Sequence, residues 1–225
     1  MTTNLAELFQ RRACASCGKP ESLYCKLCAL PVIQAPHIEL PLPLHVYRHP
    51  LENIGKTTSI HAKALASPVQ ITVTPALTIA PRTLLLFPSK DARFIDEIPL
   101  DDYDSIAVID GTWRQARSML KGLPGSCIHA KLRPHKTDFW RFQSLGPEYL
   151  ATIEAIYWIY VERFQLEFGR YDQRFDSLLY FFKLNYDLIQ NKYQNSEKTF
   201  TVRHGQGPSY ILDSAKSIGD SRESR

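Results

Sequence analysis

An acidic residue at the end of an apolar run is the first place where this chain offers chemistry. Ser105-Ile-Ala-Val-Ile109 reads as a buried strand, and Asp110-Gly111-Thr112-Trp113 breaks it into a turn and a helix start. A carboxylate placed there can accept a proton or orient a group that carries one. Gly111 permits a tight turn, and Thr112 with Gln115 three residues on spells a capping box, which aims free backbone N–H groups outward. In open α/β sheets, ligands bind in the crevice beyond the strand carboxyl ends. Asp110 also has a purely local use, because an aspartate in a turn commonly bonds its own backbone.

A second constellation lies near the start. Cys14 with Cys17, and Cys25 with Cys28, form two Cys-x-x-Cys pairs whose four thiolates are the complete ligand set of a closed tetrahedral zinc site. A saturated site has no open position for water, so the role expected of Zn2+ is structural, stapling a segment too small to bury its own core. Two disulfides or four unrelated buried thiols are the other readings, and the first is disfavoured in a reducing compartment. Cys127 stands alone in an expected strand, as an inert buried thiol.

Cationic residues cluster beyond Asp110. Arg114, Arg117 and Lys121 recur at three- and four-residue spacing, a basic stripe opposite Ala116 and Leu120, and Lys131, Arg133, His135 and Lys136 follow. Such a stripe is either a solvated helix face or a set of phosphate contacts that hold a polyanion without reading its sequence. The net charge of +4 permits an RNA partner without demanding one.

The elements that would position these residues alternate in type. Leu44–Arg48, Gln70–Thr74, Thr83–Phe87, Ser105–Ile109 and Cys127–Leu132 read as strands. Leu5–Arg12, Thr58–Ala66, Trp113–Lys121, Tyr149–Phe168 and Asp176–Lys192 read as helices. The fold class expected is α/β, a mainly parallel sheet flanked by helices. Ile153, Ile156, Tyr157 and Tyr160 form the core stripe of the long helix. A proline-spaced stretch, Pro31 to Pro43, reads as a stiff linker. The expected division is a zinc module with linker over residues 1–36, a catalytic domain over 37–195 and a polar, partly disordered tail over 196–225. Glu154 and Glu162 interrupt the most hydrophobic C-terminal region, so no membrane span is expected. The first residues lack a secretory pattern, and a cytoplasmic protein is the expectation.

Asp110-Gly111-Thr112-Trp113 resembles the signature of the DTW-domain family, tRNA-uridine aminocarboxypropyltransferases related to the SPOUT class of knotted RNA-modifying enzymes. Further features follow in the family's order. These are the four cysteines, His49-Pro50-Leu51-Glu52, Leu86-Phe87-Pro88, Arg141, and Thr152-Ile153-Glu154-Ala155. Departures are Lys56-Thr57-Thr58-Ser59-Ile60 where the family often shows Arg-Pro-Thr-Asn-Thr. Phe139 and Trp140 stand where a tyrosine is usual before the arginine, and Ala151 where a small polar residue is usual.

The resemblance implies a SPOUT-like fold and transfer of the 3-amino-3-carboxypropyl group of S-adenosylmethionine to N3 of a uridine in tRNA, leaving methylthioadenosine. Asp110 is then the expected catalytic residue, accepting the uridine imide proton or orienting that base. Phe87, Ser89, Thr112, Trp113 and Thr152 are the residues expected at the co-substrate. Those expected at the RNA are His49, Glu52, Arg114, Arg117, Lys121, Arg141 and Glu154. Thr112, Thr152 and Glu154 equally suit helix capping, and Trp113 equally suits a core. Two other functions stay open at this point: an S-adenosylmethionine-dependent RNA methyltransferase, and a noncatalytic zinc-containing RNA-binding adaptor. Monomer and homodimer are both open.

Overall fold

The computed structural model describes residues 5–121, 123, 127–140, 146 and 148–194. Arg141 and the expected C-terminal tail therefore lie outside the described residues. A short helix α1 (Leu5–Leu8) leads into a two-stranded ribbon, β1 (Arg12–Ala13) and β2 (Pro20–Glu21), which carries the cysteines. Then come β3 (Ile38–Arg48), α2 (Ser59–Leu65), β4 (Ala66–Val73), β5 (Thr83–Leu86), β6 (Arg93–Phe94), β7 (Ser105–Asp110), α3 (Trp113–Met119), β8 (Ile128–Lys131), α4 (Thr152–Phe168) and α5 (Tyr180–Gln194). Strands β3 to β8 form one sheet in the order β4-β3-β7-β5-β8-β6, and every neighbouring pair is parallel.

A parallel sheet is covered on both faces, which is why its central strands read as unbroken apolar runs. Alternation shows which face each residue serves. Leu44, Val46, Leu84, Leu86, Ile106 and Val108 join the core under α4, and Leu85 and Ala107 pack with Phe87 and Ala116 under α3. On α4, Ile153, Ile156, Ile159 and Tyr160 are fully buried, each aliphatic side chain contributing about 1.5–3 kcal/mol. Tyr157 is partly buried and packs against that core with its hydroxyl donating to Asp176 Oδ1 at 3.0 Å, and Ile159 joins the stripe.

Several boundaries differ from those the sequence suggested. The linker is shorter, because β3 begins at Ile38 and takes in Pro41 and Pro43. The strand tolerates them because pairing with β4 slips between Glu39 and Leu44, and pairing with β7 starts only at Leu44. The first helix stops at Leu8, where the Arg12 guanidinium takes up the carbonyls of Glu7 and Leu8 at 2.8 and 3.1 Å. The long helix opens at Thr152, three residues later than Tyr149. The last one is a 3-10 turn over Asp176–Leu179 before α5.

The cysteine module is packed against the sheet's helices. Leu23 is buried with Ala64 and Leu65 of α2 and Phe181 of α5. The Tyr24 hydroxyl lies 2.8 Å from Nε2 of His61, which is itself buried. The module therefore touches α2 two residues from Ser59, whose hydroxyl bonds Asp110.

Candidate functional site

Strand β3 ends into His49, β7 into Gly111, β5 into Phe87 and β8 into Leu132, all at the same edge of the sheet. The first turn of α4 faces them. Two cavities open there. One, of about 400 Å³, lies over β5, β7 and β8 and is lined by Leu86, Phe87, Trp113, Lys131, His135 and Tyr149 among others. The other, of about 1070 Å³, lies over β3 and β7 and is lined by His49, Glu52, Thr57, Asp110, Arg114 and Lys121 among others. Gly111, Trp113, Arg117, Leu150 and Thr152 line both, so one wall separates the two spaces.

That wall is built from the turn after β7. Thr112 caps α3 as its spacing predicts, accepting from the Gln115 amide at 3.3 Å while Gln115 Oε1 accepts from the Thr112 amide at 2.6 Å. Gly111 lets the turn pass close to its neighbours: a Cβ there would stand 3.3 Å from the His49 Cβ and 3.1 Å from Gln115 Oε1, tighter than an ordinary contact. The His49 amide donates to the Asp110 carbonyl at 2.9 Å, which ties the end of β3 to the end of β7.

Asp110 is 2% exposed yet borders the larger cleft. Its Oδ2 accepts from the hydroxyls of Thr57 and of Ser59, the latter at 2.8 Å, and its Oδ1 accepts from the Thr152 hydroxyl at 2.9 Å. Three hydroxyls from two helix starts thus converge on one carboxylate. The Thr58 hydroxyl adds a fourth link by accepting the Ile153 amide at 3.1 Å, an N-terminal donor of α4 that the helix itself cannot satisfy. Glu52 is half-buried in the same cleft, and its carboxyl is raised above the usual carboxylate range. Burial is the main cause and the negative charge of Asp110 the second, while the amides of Thr112 and Asn53 and the charge of Lys56 pull the other way.

Of the residues expected at the co-substrate, Phe87, Trp113 and Thr152 line the smaller cavity, and Thr112 lines only the larger one. Trp113 is held between Phe87 and Tyr149, with ring centroids 5.6 and 5.0 Å away. Ser89 reaches neither cavity, and its hydroxyl pairs with His129 Nδ1 at 2.9 Å. Of the residues expected at the RNA, His49, Glu52, Arg114, Arg117 and Lys121 line the larger cleft. Glu154 does not. It is 5% exposed and accepts from the Thr137 hydroxyl at 2.6 Å, the Asp138 amide at 2.8 Å and the Ala151 amide at 2.7 Å, so it pins a loop to the start of α4.

Sequence reasoning missed the hydroxyl cradle of Thr57 and Ser59 and the aromatic wall at His135. In the sequence Lys56 to Ile60 stands only as a departure from the family's pattern, and the long-range bonds of Thr57 and Ser59 to Asp110 show what it serves. His135 stacks on Trp158 with centroids 3.8 Å apart, and its Nε2 lies 2.6 Å from Glu162 Oε1.

The four cysteine sulfurs lie within 4.8 Å of one another, close enough to hold a metal ion. A tetrahedral cage with metal–sulfur bonds of about 2.3 Å needs sulfurs about 3.8 Å apart, and Cys17 and Cys25 stand 3.6 Å apart. The two halves repeat one backbone design. Cys14 and Cys25 each accept an amide four residues on at 2.8 Å, from Gly18 and Ala29, which both have positive φ, 71° and 53°. The amides of Cys17 and Ser16 hold the Cys14 thiol at about 7, toward the thiolate a metal requires. Burial instead raises Cys127, the opposite of an activated nucleophile.

Similarity to known proteins extends over most of the chain. The mouse protein named tRNA-uridine aminocarboxypropyltransferase 1 is 28% identical over 243 residues, covering 84% of this chain and 80% of its own. The human protein of that name is 29% identical over 254 residues, covering 86% and 82%. Among solved structures, the SAM-dependent rRNA:acp-transferase Tsr3 from Vulcanisaeta distributa has a TM-score of 0.49 and 21% identity, covering 68% of this chain and 81% of that one. The model of the DTW domain matches residues 11–190, which include the cysteine module, both cavities and α4, and the chain belongs to the DTW-domain family.

Proposed function

We propose that this protein transfers the 3-amino-3-carboxypropyl group of S-adenosylmethionine to N3 of a uridine in tRNA and releases methylthioadenosine. The observation that carries the reading is the wall shared by the two cavities, Gly111, Trp113, Arg117, Leu150 and Thr152. A group transfer between two substrates needs two sites that meet at the reacting atoms, because alignment is what converts a bimolecular step into an effectively unimolecular one. The smaller, aromatic cavity suits an adenosine, and the larger, with Arg114, Arg117 and Lys121 on its rim, suits a uridine on a polyanion. The names of the curated relatives support the same chemistry.

In this reading Asp110 is the carboxylate that organises the reacting junction, by fixing the hydroxyls of Thr57 and Thr152 that border the cleft. Trp113 and Phe87 form the adenosine wall, His49 and Glu52 frame the uracil, and Arg141 extends the RNA contact. Zinc is held by Cys14, Cys17, Cys25 and Cys28 in a structural role, because four thiolates leave no coordination position open. The chain divides into the zinc module, the catalytic domain and a polar tail, and it works in the cytoplasm. Among the described residues no helix is long and apolar enough to cross a membrane.

The test is the small product left after incubation with S-adenosylmethionine and unmodified tRNA. Methylthioadenosine is expected. S-adenosylhomocysteine would make the protein a methyltransferase, and RNA binding with neither product would make it an adaptor.

A further inference from the structure

The transfer leaves one question open in the residues themselves: N3 of uridine carries a proton, and something must take it. We propose that Glu52 is the group that accepts it. The inference rests on the functional reading above and goes beyond it by separating two carboxylates that share one cleft.

Asp110 is poorly arranged for the task. Both of its oxygens already accept hydroxyl hydrogen bonds, and almost none of its surface is open. A proton delivered to it would break the cradle that joins α2 to α4. Glu52 borders the same cleft from the loop that follows β3, and it is only half-buried. It lines that cleft together with Gly111, Thr112 and Trp113, the turn and first residue of α3, two of which belong to the wall the two cavities share. The two carboxyls sit in environments that differ in the way acid–base pairs do, one tied by donors and the other partly desolvated.

The groups around Glu52 set its basicity. From β7 comes the negative charge of Asp110 and from its own loop the positive charge of Lys56, with His49 lining the same cleft. Arg114, Arg117 and Lys121 of the α3 segment line the same cleft. Desolvation and Asp110 raise its affinity for a proton and outweigh Lys56 and the two amides. A base so raised is better matched to a weakly acidic imide than an unperturbed carboxylate.

The step balances without another reactant. The N3–H proton goes to Glu52, the N3 electron pair forms a bond to the γ-carbon, and the carbon–sulfur bond breaks with its electrons staying on sulfur. The cationic sulfonium becomes the neutral thioether of methylthioadenosine, and Glu52 later returns its proton to solvent.

The experiment is a single-turnover measurement of transfer to unmodified tRNA across pH, for the unaltered protein, Glu52→Gln and Glu52→Asp. Binding of S-adenosylmethionine and tRNA is measured separately for each. In Glu52→Gln the transfer rate is expected to fall by about 100-fold or more, with both affinities within a fewfold of the unaltered protein. The acidic limb of the rate profile should disappear in that variant and persist in Glu52→Asp at reduced rate. An unchanged rate with the acidic limb intact in Glu52→Gln would overturn the assignment, as would a loss that follows weaker tRNA binding alone. Failure of the unaltered protein to transfer the group would instead overturn the functional reading on which the assignment rests.

Discussion

Thr152 and Asp110, 42 residues apart in sequence, are joined by a hydrogen bond of 2.9 Å between hydroxyl and carboxylate. It makes the first residue of α4 a part of the site at the end of β7. Replacing Thr152 with valine keeps the shape and removes the donor, leaving a buried carboxylate oxygen short of a partner. The expected cost is about 1–3 kcal/mol of stability, measured by denaturant unfolding, with a slower transfer. Thr152→Ser should restore most of both.

Arg117 and Lys121 are exposed on the rim of the larger cleft, where phosphate contacts add affinity without sequence preference. Arg117→Ala and Lys121→Ala should each weaken tRNA binding uniformly and lower the slope of log affinity against log salt by about 1. Titrations at several salt concentrations measure this. An unchanged slope would make the stripe a solvated helix face.

The cysteine cluster should hold one zinc ion per chain, and a chelator should remove it. Because Leu23 and Tyr24 of that module pack on α2 and α5, metal loss is expected to lower Tm by roughly 5–10 °C, taking about 2–4 °C per kcal/mol for a chain of this size. Metal analysis and calorimetry check both points. Cys25→Ser, at a fully buried ligand, should mimic chelation.

His61 is buried against Tyr24 and Phe181, and burial lowers its imidazole from 6.5 to about 3. Above 6.5 the ring is neutral whether the chain is folded or not. As pH falls below 6.5 the unfolded chain takes up a proton that the folded chain refuses until about 3, so stability drops by up to about 1.4 kcal/mol per pH unit across that window. His61→Leu should flatten the dependence between pH 6 and 4, whatever it does to absolute stability. Denaturant midpoints at successive pH values measure the slope.

What was legible in the sequence is what short-range patterns encode. The capping box of Thr112 and Gln115, the apolar run of β7, the paired cysteines and the core face of α4 all follow from neighbours within a few residues. The cradle around Asp110 does not, because Thr57 and Ser59 reach it only after α2 has been placed beside β7. Glu154 has the same history in reverse: an acid at a helix start suits a ligand and a cap equally, and the loop at Thr137 and Asp138 decides for the cap. Pro41 and Pro43 suggested a linker since the slipped register that accommodates them in β3 leaves no trace in composition.

The central claim is that the two cavities meeting at the turn after Asp110 bring a sulfonium carbon to N3 of a uridine. Nucleoside mass spectrometry of unmodified tRNA, incubated with the pure protein and S-adenosylmethionine, tests it most directly. The account predicts a uridine carrying the 3-amino-3-carboxypropyl group, strongly reduced with Asp110→Ala of intact fold. A tRNA whose uridines stay unaltered, or carry only a methyl group, would contradict it.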